Sequence, residues 1–274
     1  MILPYSYYQQ SITPIDDIKL NVNNLSLHRG YGIFDYFTYH QGQNKYLDWY
    51  ISRLYTSAAK AQLTISLSPQ QLVDAINLLY EQNRVAQANI KIIITAGNST
   101  NGYQPLGKPE LIILSYKHQS HPSTHYTEGI RLITYEHRRP FADIKSTNYM
   151  IPYLLQQQLN NRHAVDVLYH MNDQVSETSR ANIFLVKNQS IFTPSEHILP
   201  GITRRIILES YEGHKVTVQR LTLNDFLSAD EVFITSSTKR IMPVIAIDNQ
   251  SISNSNVGPI SQKINQWFIK QLSD

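Results

Sequence analysis

The sequence contains no cysteine, which removes disulfide bridges, thiolate metal ligands, iron–sulfur clusters and a cysteine nucleophile together. It is also poor in charge. Asp, Glu, Lys and Arg make up 16% of the 274 residues while 42% are hydrophobic, against roughly 25% charged in an average soluble domain. That length and apolar content build a sizeable core and exclude a disordered chain. Long apolar runs are missing: residues 92–94 and 111–114 fall far short of the ~18 residues a membrane span requires. Met1 opens a segment with Pro and Tyr and no basic stretch before an apolar one, so a soluble, cytoplasmic protein with no membrane partner is expected. Lys plus Arg number 24 against 21 for Asp plus Glu, a net charge of +3 without any basic tract, which argues against nucleic acid as a partner.

Several signatures are absent as well. There is no Walker loop, no GxGxxG, no HExxH and no GxSxG, and Gly30-Tyr31-Gly32 lacks a third glycine. His118 and His121 have a three-residue spacing, but they sit in a polar stretch without carboxylate neighbours, and no metal site is expected.

What is present reads as strands mixed with helices. Aromatic and polar positions alternate over 28–40, and Gln41-Gly42-Gln43 offers a turn before Tyr46 and Leu47, the pattern of a hairpin. From about Asp48 the spacing turns helical through Ile51, Leu54, Ala58 and Leu63, and Pro69 opens a second helix. Residues 90–96 and 110–116 have the Ile- and Leu-rich composition of buried strands. The polar run 117–129 reads as an interdomain connection. This places a small N-terminal domain at 1–118, the connection at 119–128 and a larger domain at 129–274. In the second half, strands are expected at 130–135, 165–170 and 231–235, and helices at 149–161, after Gly201 and over 259–272. Thr222 and Asp225 have capping-box spacing. Strict strand–helix alternation is lacking, so the class is α+β.

Three blocks carry the chemistry. They are Asp143-Ile144-Lys145-Ser146-Thr147-Asn148-Tyr149, then Val175-Ser176-Glu177-Thr178-Ser179-Arg180-Ala181-Asn182-Ile183-Phe184, then Leu199-Pro200-Gly201-Ile202-Thr203-Arg204. A lysine becomes a nucleophile toward carbonyls when burial and a neighbouring cation disfavour its charge; Lys145 follows Ile144 and lies shortly after Arg138 and Arg139. Phosphate is held by amides at a helix start together with hydroxyls. Gly201-Ile202-Thr203 and Ser236-Ser237-Thr238 offer both.

In order and spacing these blocks resemble the fold-type IV pyridoxal-phosphate enzymes, the class IV aminotransferases, over roughly residues 28 to 245. Members include D-amino acid aminotransferase, branched-chain aminotransferase and aminodeoxychorismate lyase. The resemblance implies a two-domain α+β fold, each domain a mixed sheet with helices, with pyridoxal 5′-phosphate as cofactor, a homodimer, and a small amino substrate bearing a carboxylate. It implies that Lys145 holds the cofactor as an aldimine and later serves as general base, and that Glu177 pairs with the ring nitrogen. Arg53, Ile202, Thr203, Ser237 and Thr238 fall where relatives hold the phosphate. Tyr31, Phe34, Arg138 and Arg139 fall where relatives meet substrate, and a pair of arginines suits a carboxylate. Asn182 and Phe184 are expected to be structural. The block His28 to Asp35 is shorter than the form common among relatives, with Asp35 where many carry Glu. The function implied is transamination of a D-amino acid or branched-chain amino acid with a 2-keto acid. An aminodeoxychorismate lyase releasing pyruvate and 4-aminobenzoate is the alternative, and a non-catalytic pyridoxal-phosphate-binding protein a remote one.

Overall fold

The computed structural model describes residues 1–273, and the chain divides into two units. The first comprises Met1–Gln119 together with Ile144–Asn148, and the second comprises Ser120–Asp143 and the chain from Tyr149 onward. The division drawn from the sequence at 118 and 129 does not contain the excursion of 144–148. Five residues with bends around a single bridge carry no hydrophobic period that would reveal it.

The first unit is built on strands β1 (Ile2–Tyr8), β2 (Ser11–Pro14), β3 (Gly32–His40), β4 (Gln87–Thr95) and β5 (Glu110–Lys117), in the order β2-β1-β5-β4-β3. All of these pairings are antiparallel. Helices α1 (Leu25–Arg29), α2 (Leu47–Lys60) and α3 (Pro69–Asn83) complete it. Alternation along the strands separates two faces. Ile33, Phe37 and Tyr39 of β3 and Ile90, Ile92 and Ile94 of β4 are buried, as are Ile51 and Leu54 of α2 and Leu72, Ile76 and Leu79 of α3. Phe34, Tyr36, Lys91 and Ile93, on the other face, are only half-buried. The helix α3 begins with a complete Ser68/Gln71 capping box and Pro at its start.

The hairpin read at 28–46 is corrected here. His40 and Gln43 do turn, through an isolated bridge, but the chain enters α2 at once, and β3 finds its partner in β4. Aromatic alternation marks a strand without naming its neighbour.

The second unit holds β6 (Ile130–Glu136), β7 (Asp166–Met171), β8 (Gln174–Thr178), β9 (Asn182–Lys187), β10 (Ser190–Pro194), β11 (Val216–Gln219), β12 (Glu231–Ser236), β13 (Arg240–Ile247) and β14 (Gln250–Ser251). The order is β11-β10-β9-β12-β13-β6-β7-β8, with β14 beside β13. Pairs β10–β11, β13–β6 and β6–β7 are parallel and the rest antiparallel, so mixed pairing belongs to this sheet. Its helices are α4 (Thr124–Thr127), α5 (Met150–Leu154), α6 (Gln156–Asn161), α7 (Ile202–Ser210), α8 (Leu223–Leu227) and α9 (Pro259–Ser273). The single helix expected at 149–161 is thus two short ones, and the connection at 119–128 contains α4.

Ile130, Leu132, Leu168, Ile183, Leu185, Val232 and Ile234 pack in one core, whereas Ile133, Val167 and Tyr169 pack with Leu155 and Leu159 in another. The alternation shows that these cores lie on opposite faces of the sheet. Phe184 and Phe233, both fully buried, stack at 4.9 Å, each burial contributing about 1.5–3 kcal/mol. Asn172 and Asp173 both take positive φ in the β7–β8 turn, as a two-residue hairpin loop requires. The α8 capping box forms as expected, with Thr222 and Asp225 bonding reciprocally. Among the described residues no helix is long and apolar enough to cross a membrane.

The register of this sheet brings several strand termini to the same end of the sheet. The end of β8 pairs with β7, the start of β9 with the end of β12, and β12 turns directly into β13. Glu177, Asn182, Thr235 and the loop Ser236 to Lys239 therefore sit on chain segments that terminate together.

Candidate active site

In the first unit, Lys145 stands on an extended segment laid against β3, where Ile33 bridges Ser146. Its carbonyl accepts the Phe34 amide at 2.9 Å, its amide donates to Ser57 Oγ at 3.3 Å, and the Thr147 amide donates to the Gly32 carbonyl at 3.0 Å. Gly32 is tightly enclosed, since a Cβ would lie 3.0 Å from Ser26 Oγ and 3.2 Å from the Ile94 carbonyl. The half-buried lysine places its Nζ 4.6 Å from the Phe34 ring centroid, and Lys91 Nζ lies 5.1 Å from the same ring. Burial lowers the Lys91 ammonium below its ordinary pKa. Phe34, expected near substrate, is thus an aromatic platform between two amines.

Arg53 of α2 reaches the opposite face of β3. Its Nε and Nη2 donate to the two oxygens of Asp35 at 3.0 and 2.7 Å, a bidentate pair with the carboxylate wholly buried. Tyr31 donates its hydroxyl to the Ala61 carbonyl at 2.6 Å.

In the second unit, Glu177 is buried near the end of β8. One oxygen accepts Arg139 Nε at 2.8 Å and the other the Leu199 amide at 2.9 Å. Asn182 donates to the Leu199 carbonyl at 2.9 Å, and a side chain at Gly201 would collide with Asn182 Oδ1. Asn182 thus ties the start of β9 to the turn before α7, while Phe184 is buried against Phe233. The helix α7 then begins with no side-chain cap on Gly201, and buried Thr203 Oγ1 finds no hydrogen-bond partner. Thr235 Oγ1, paired through its backbone with Asn182, is likewise buried and unpartnered. Ser237 and Thr238 follow in a half-buried loop.

The structure separates the two arginines read as a carboxylate clamp. Arg139 spends its guanidinium on Glu177 and on the Ala142 carbonyl. Arg138, with no ion pair among the described residues, lines a cleft of about 420 Å³ alongside Asp143 and His197.

Four residues escaped the sequence reading. Tyr149 has its phenol pushed up to about 12, chiefly by burial and further by Glu177 and Asp166 against Arg139 and Arg180, so it stays a protonated donor at neutral pH. Asp166 is fully buried and receives Lys239 Nζ at 2.6 Å. Burial alone would raise the Asp166 carboxyl, but Lys239 and Arg180 outweigh it and the net direction is down. The signal in the sequence was slight: Tyr149 lay inside the Lys145 block, while Asp166, Lys239 and Lys91 matched nothing in the blocks.

Orphaned hydroxyls on Thr203 and Thr235, uncapped amides opening α7 and a clamped buried carboxylate at Glu177 form a donor and acceptor set suited to a phosphorylated heteroaromatic cofactor. The expected group fits the residues present.

Comparison with known proteins agrees. Residues 32–247 match the model of the amino-transferase class IV family. A candidate branched-chain-amino-acid aminotransferase of Methanocaldococcus jannaschii is 33% identical over 92% of this chain and 91% of its own length. A D-alanine aminotransferase of Listeria monocytogenes is 28% identical over 94% of this chain and 92% of its own. Among solved structures, an aminotransferase from Brucella abortus bound to the cofactor PLP superimposes with a TM-score of 0.86 at 20% identity, covering 100% of this chain and 100% of that one.

Proposed function

The chain belongs to the class IV aminotransferase family, and on that premise we propose that it transfers an amino group between an amino acid of branched-chain or D-alanine type and a 2-keto acid. The observation that carries this is Lys145, an amine whose backbone is fixed on both sides and whose side chain is half-buried against an aromatic ring. The relatives' names supply the substrate classes, and the Brucella abortus aminotransferase was solved with PLP bound.

Pyridoxal phosphate, when bound, supplies an electron sink for the carbanion formed at the substrate α-carbon. The chain's residues do the rest. Lys145 Nζ is the amine that holds the cofactor and, once released, carries the proton to and from the substrate α-carbon. Glu177 keeps a ring nitrogen protonated, and Arg139 with the Leu199 amide fixes its orientation. Thr203, the Ile202 amide, Ser237 and Thr238 bind phosphate, with Arg53 contributing cationic charge. Tyr149, whose phenol burial keeps protonated, is a donor available to the cofactor. Arg138, Tyr31 and Phe34 face substrate, with Arg138 taking the carboxylate. The enzyme works as a cytoplasmic homodimer, which sedimentation of the purified protein tests.

The deciding experiment follows the visible spectrum of the cofactor-loaded protein in single turnovers with D-alanine, L-leucine or L-glutamate. Bleaching by one donor and recovery with a keto acid identifies a transaminase and its substrate. Release of pyruvate and 4-aminobenzoate from aminodeoxychorismate, with no response to amino acids, replaces this reading with the lyase.

A further inference from the structure

Deep in the second unit, Asp166 and Lys239 are each almost wholly buried, although nothing assigned so far to the chemistry touches them. Burying such a pair costs desolvation that mutual attraction barely recovers, and a well-packed apolar pair is commonly as stable. A role in geometry is the better explanation, and the contacts show which geometry.

Asp166 opens β7 and is a hub. Besides Lys239 Nζ at 2.6 Å it accepts Ser179 Oγ, Thr178 Oγ1 at 3.3 Å and the Val167 amide at 2.8 Å, with Arg180 Nε at 3.8 Å. Thr178, Ser179 and Arg180 are the three residues that directly follow Glu177. Lys239 ends the loop that carries Ser237 and Thr238, and its amide donates to Ser236 Oγ at 3.2 Å while its carbonyl accepts the Tyr126 hydroxyl at 3.1 Å. One carboxylate therefore grips the turn behind Glu177 and, through a single ammonium, the hydroxyl loop. The β9–β12 ladder pairs Asn182, which follows this turn, with Thr235, which precedes the loop; the Asp166–Lys239 contact adds a side-chain link from β7, on the far side of β6 from β13.

We propose that Asp166 and Lys239 are positioning residues that couple the ring-nitrogen carboxylate to the phosphate-binding hydroxyls, so that the cofactor's two ends are held at one fixed spacing. This rests on the cofactor reading above. Neither residue meets the cofactor itself; each acts through the segment it anchors. Loss of the pin lets the 236–239 loop drift from the Glu177 turn, and the phosphate hydroxyls lose their register first.

The test compares wild type with Asp166→Leu/Lys239→Met, which replaces the ion pair by apolar groups of similar bulk. Three quantities are read: the thermal midpoint of the apoprotein, the rate of pyridoxal phosphate loss on dialysis, and the same rate for pyridoxal, which lacks the phosphate. The expected result is an apoprotein midpoint no lower than wild type, pyridoxal phosphate loss about tenfold faster, as for one charge-assisted hydrogen bond, and a narrowed preference for pyridoxal phosphate over pyridoxal. An unchanged preference, with or without a lowered midpoint, assigns the pair to stability alone and overturns the inference. Equal acceleration for both ligands is such an unchanged preference and shows that the pair's effect does not run through the phosphate hydroxyls. Should the apolar pair not fold, Asp166→Asn/Lys239→Gln makes the same comparison. If wild type itself shows no preference for the phosphorylated ligand, and Ser237→Ala/Thr238→Val changes nothing, the cofactor reading fails instead.

Discussion

Two buried cations are neutralised in different ways in the two units. In the first, Arg53 crosses from helix to strand and meets Asp35 through two parallel hydrogen bonds, with the Tyr36 amide completing the same carboxylate at 2.7 Å. In the second, Lys239 meets Asp166 at one point, and the carboxylate spreads its remaining capacity over three consecutive residues of a turn. The guanidinium is planar and matches a carboxylate edge to edge, so one pair suffices to lock α2 onto β3. The ammonium is a point charge with freely placed donors and suits a junction where several segments converge. The first arrangement fastens two elements; the second joins a loop and a turn at one carboxylate.

The largest effect should follow from breaking the simpler pair. Arg53→Met leaves the fully enclosed Asp35 carboxyl without its cation, which costs about 3–5 kcal/mol of folding stability, read as a lowered urea midpoint. Arg53→Met/Asp35→Leu should recover most of it. If the single variant instead folds normally and only loses cofactor, Arg53 acts on phosphate and its pair with Asp35 is secondary. Sequence reading alone pointed to that second outcome, because the partner Asp35, 18 residues away, was noticed only as a departure from the family pattern.

Arg139→Met comes next. It removes a charge-assisted hydrogen bond from Glu177 but leaves the Leu199 amide in place, so about 1.5–3 kcal/mol is expected. Cofactor absorbance should shift in the same variant because Glu177 is freed to turn. A stability loss with an unchanged holoenzyme spectrum would mean that Glu177 keeps its orientation without Arg139.

A subtler contrast concerns acid. The folded Asp166 carboxyl lies below its ordinary value, so the stability it contributes is fully present above the unfolded pKa and is lost as pH falls through the folded one. In Asp166→Leu/Lys239→Met that part of the acid limb should flatten, measured as stability against pH below the ordinary carboxylate range. An identical acid limb would show that other carboxylates govern acid unfolding.

How much of this was legible beforehand follows the range of the interactions. Helices with an apolar period, such as α2, or a capping box, such as α3 and α8, and strands with dense Ile and Leu, such as β4 and β5, announce themselves locally. The Lys145, Glu177 and Gly201 blocks were legible as motifs, and the structure gives each a fixed backbone or a clamped side chain. What stayed hidden was pairing over distance: β3 with β4 rather than with the segment after its turn, the visit of 144–148 to the first unit, and Lys239 with Asp166, 73 residues apart. Arg138 and Arg139 looked equivalent as neighbours, and only the position of Glu177 distinguishes them. Charge in a sequence tells that a partner is needed, not which one answers.

Thr203 supplies the smallest expected stability effect and the sharpest separation of folding from function. Its hydroxyl is buried at the first turn of α7 and makes no hydrogen bond, so folding has already borne the desolvation of that group without recompense. Thr203→Val keeps the shape and removes the orphan, and the apoprotein should be unchanged or slightly more stable. With that hydroxyl proposed as a phosphate donor, the holoprotein should lose pyridoxal phosphate faster on dialysis. The two shifts have opposite signs, whereas Arg53→Met drives both downward. Equal cofactor retention in the valine variant would leave the Thr203 hydroxyl unexplained and transfer the phosphate contact to the α7 amides and the Ser237–Thr238 loop.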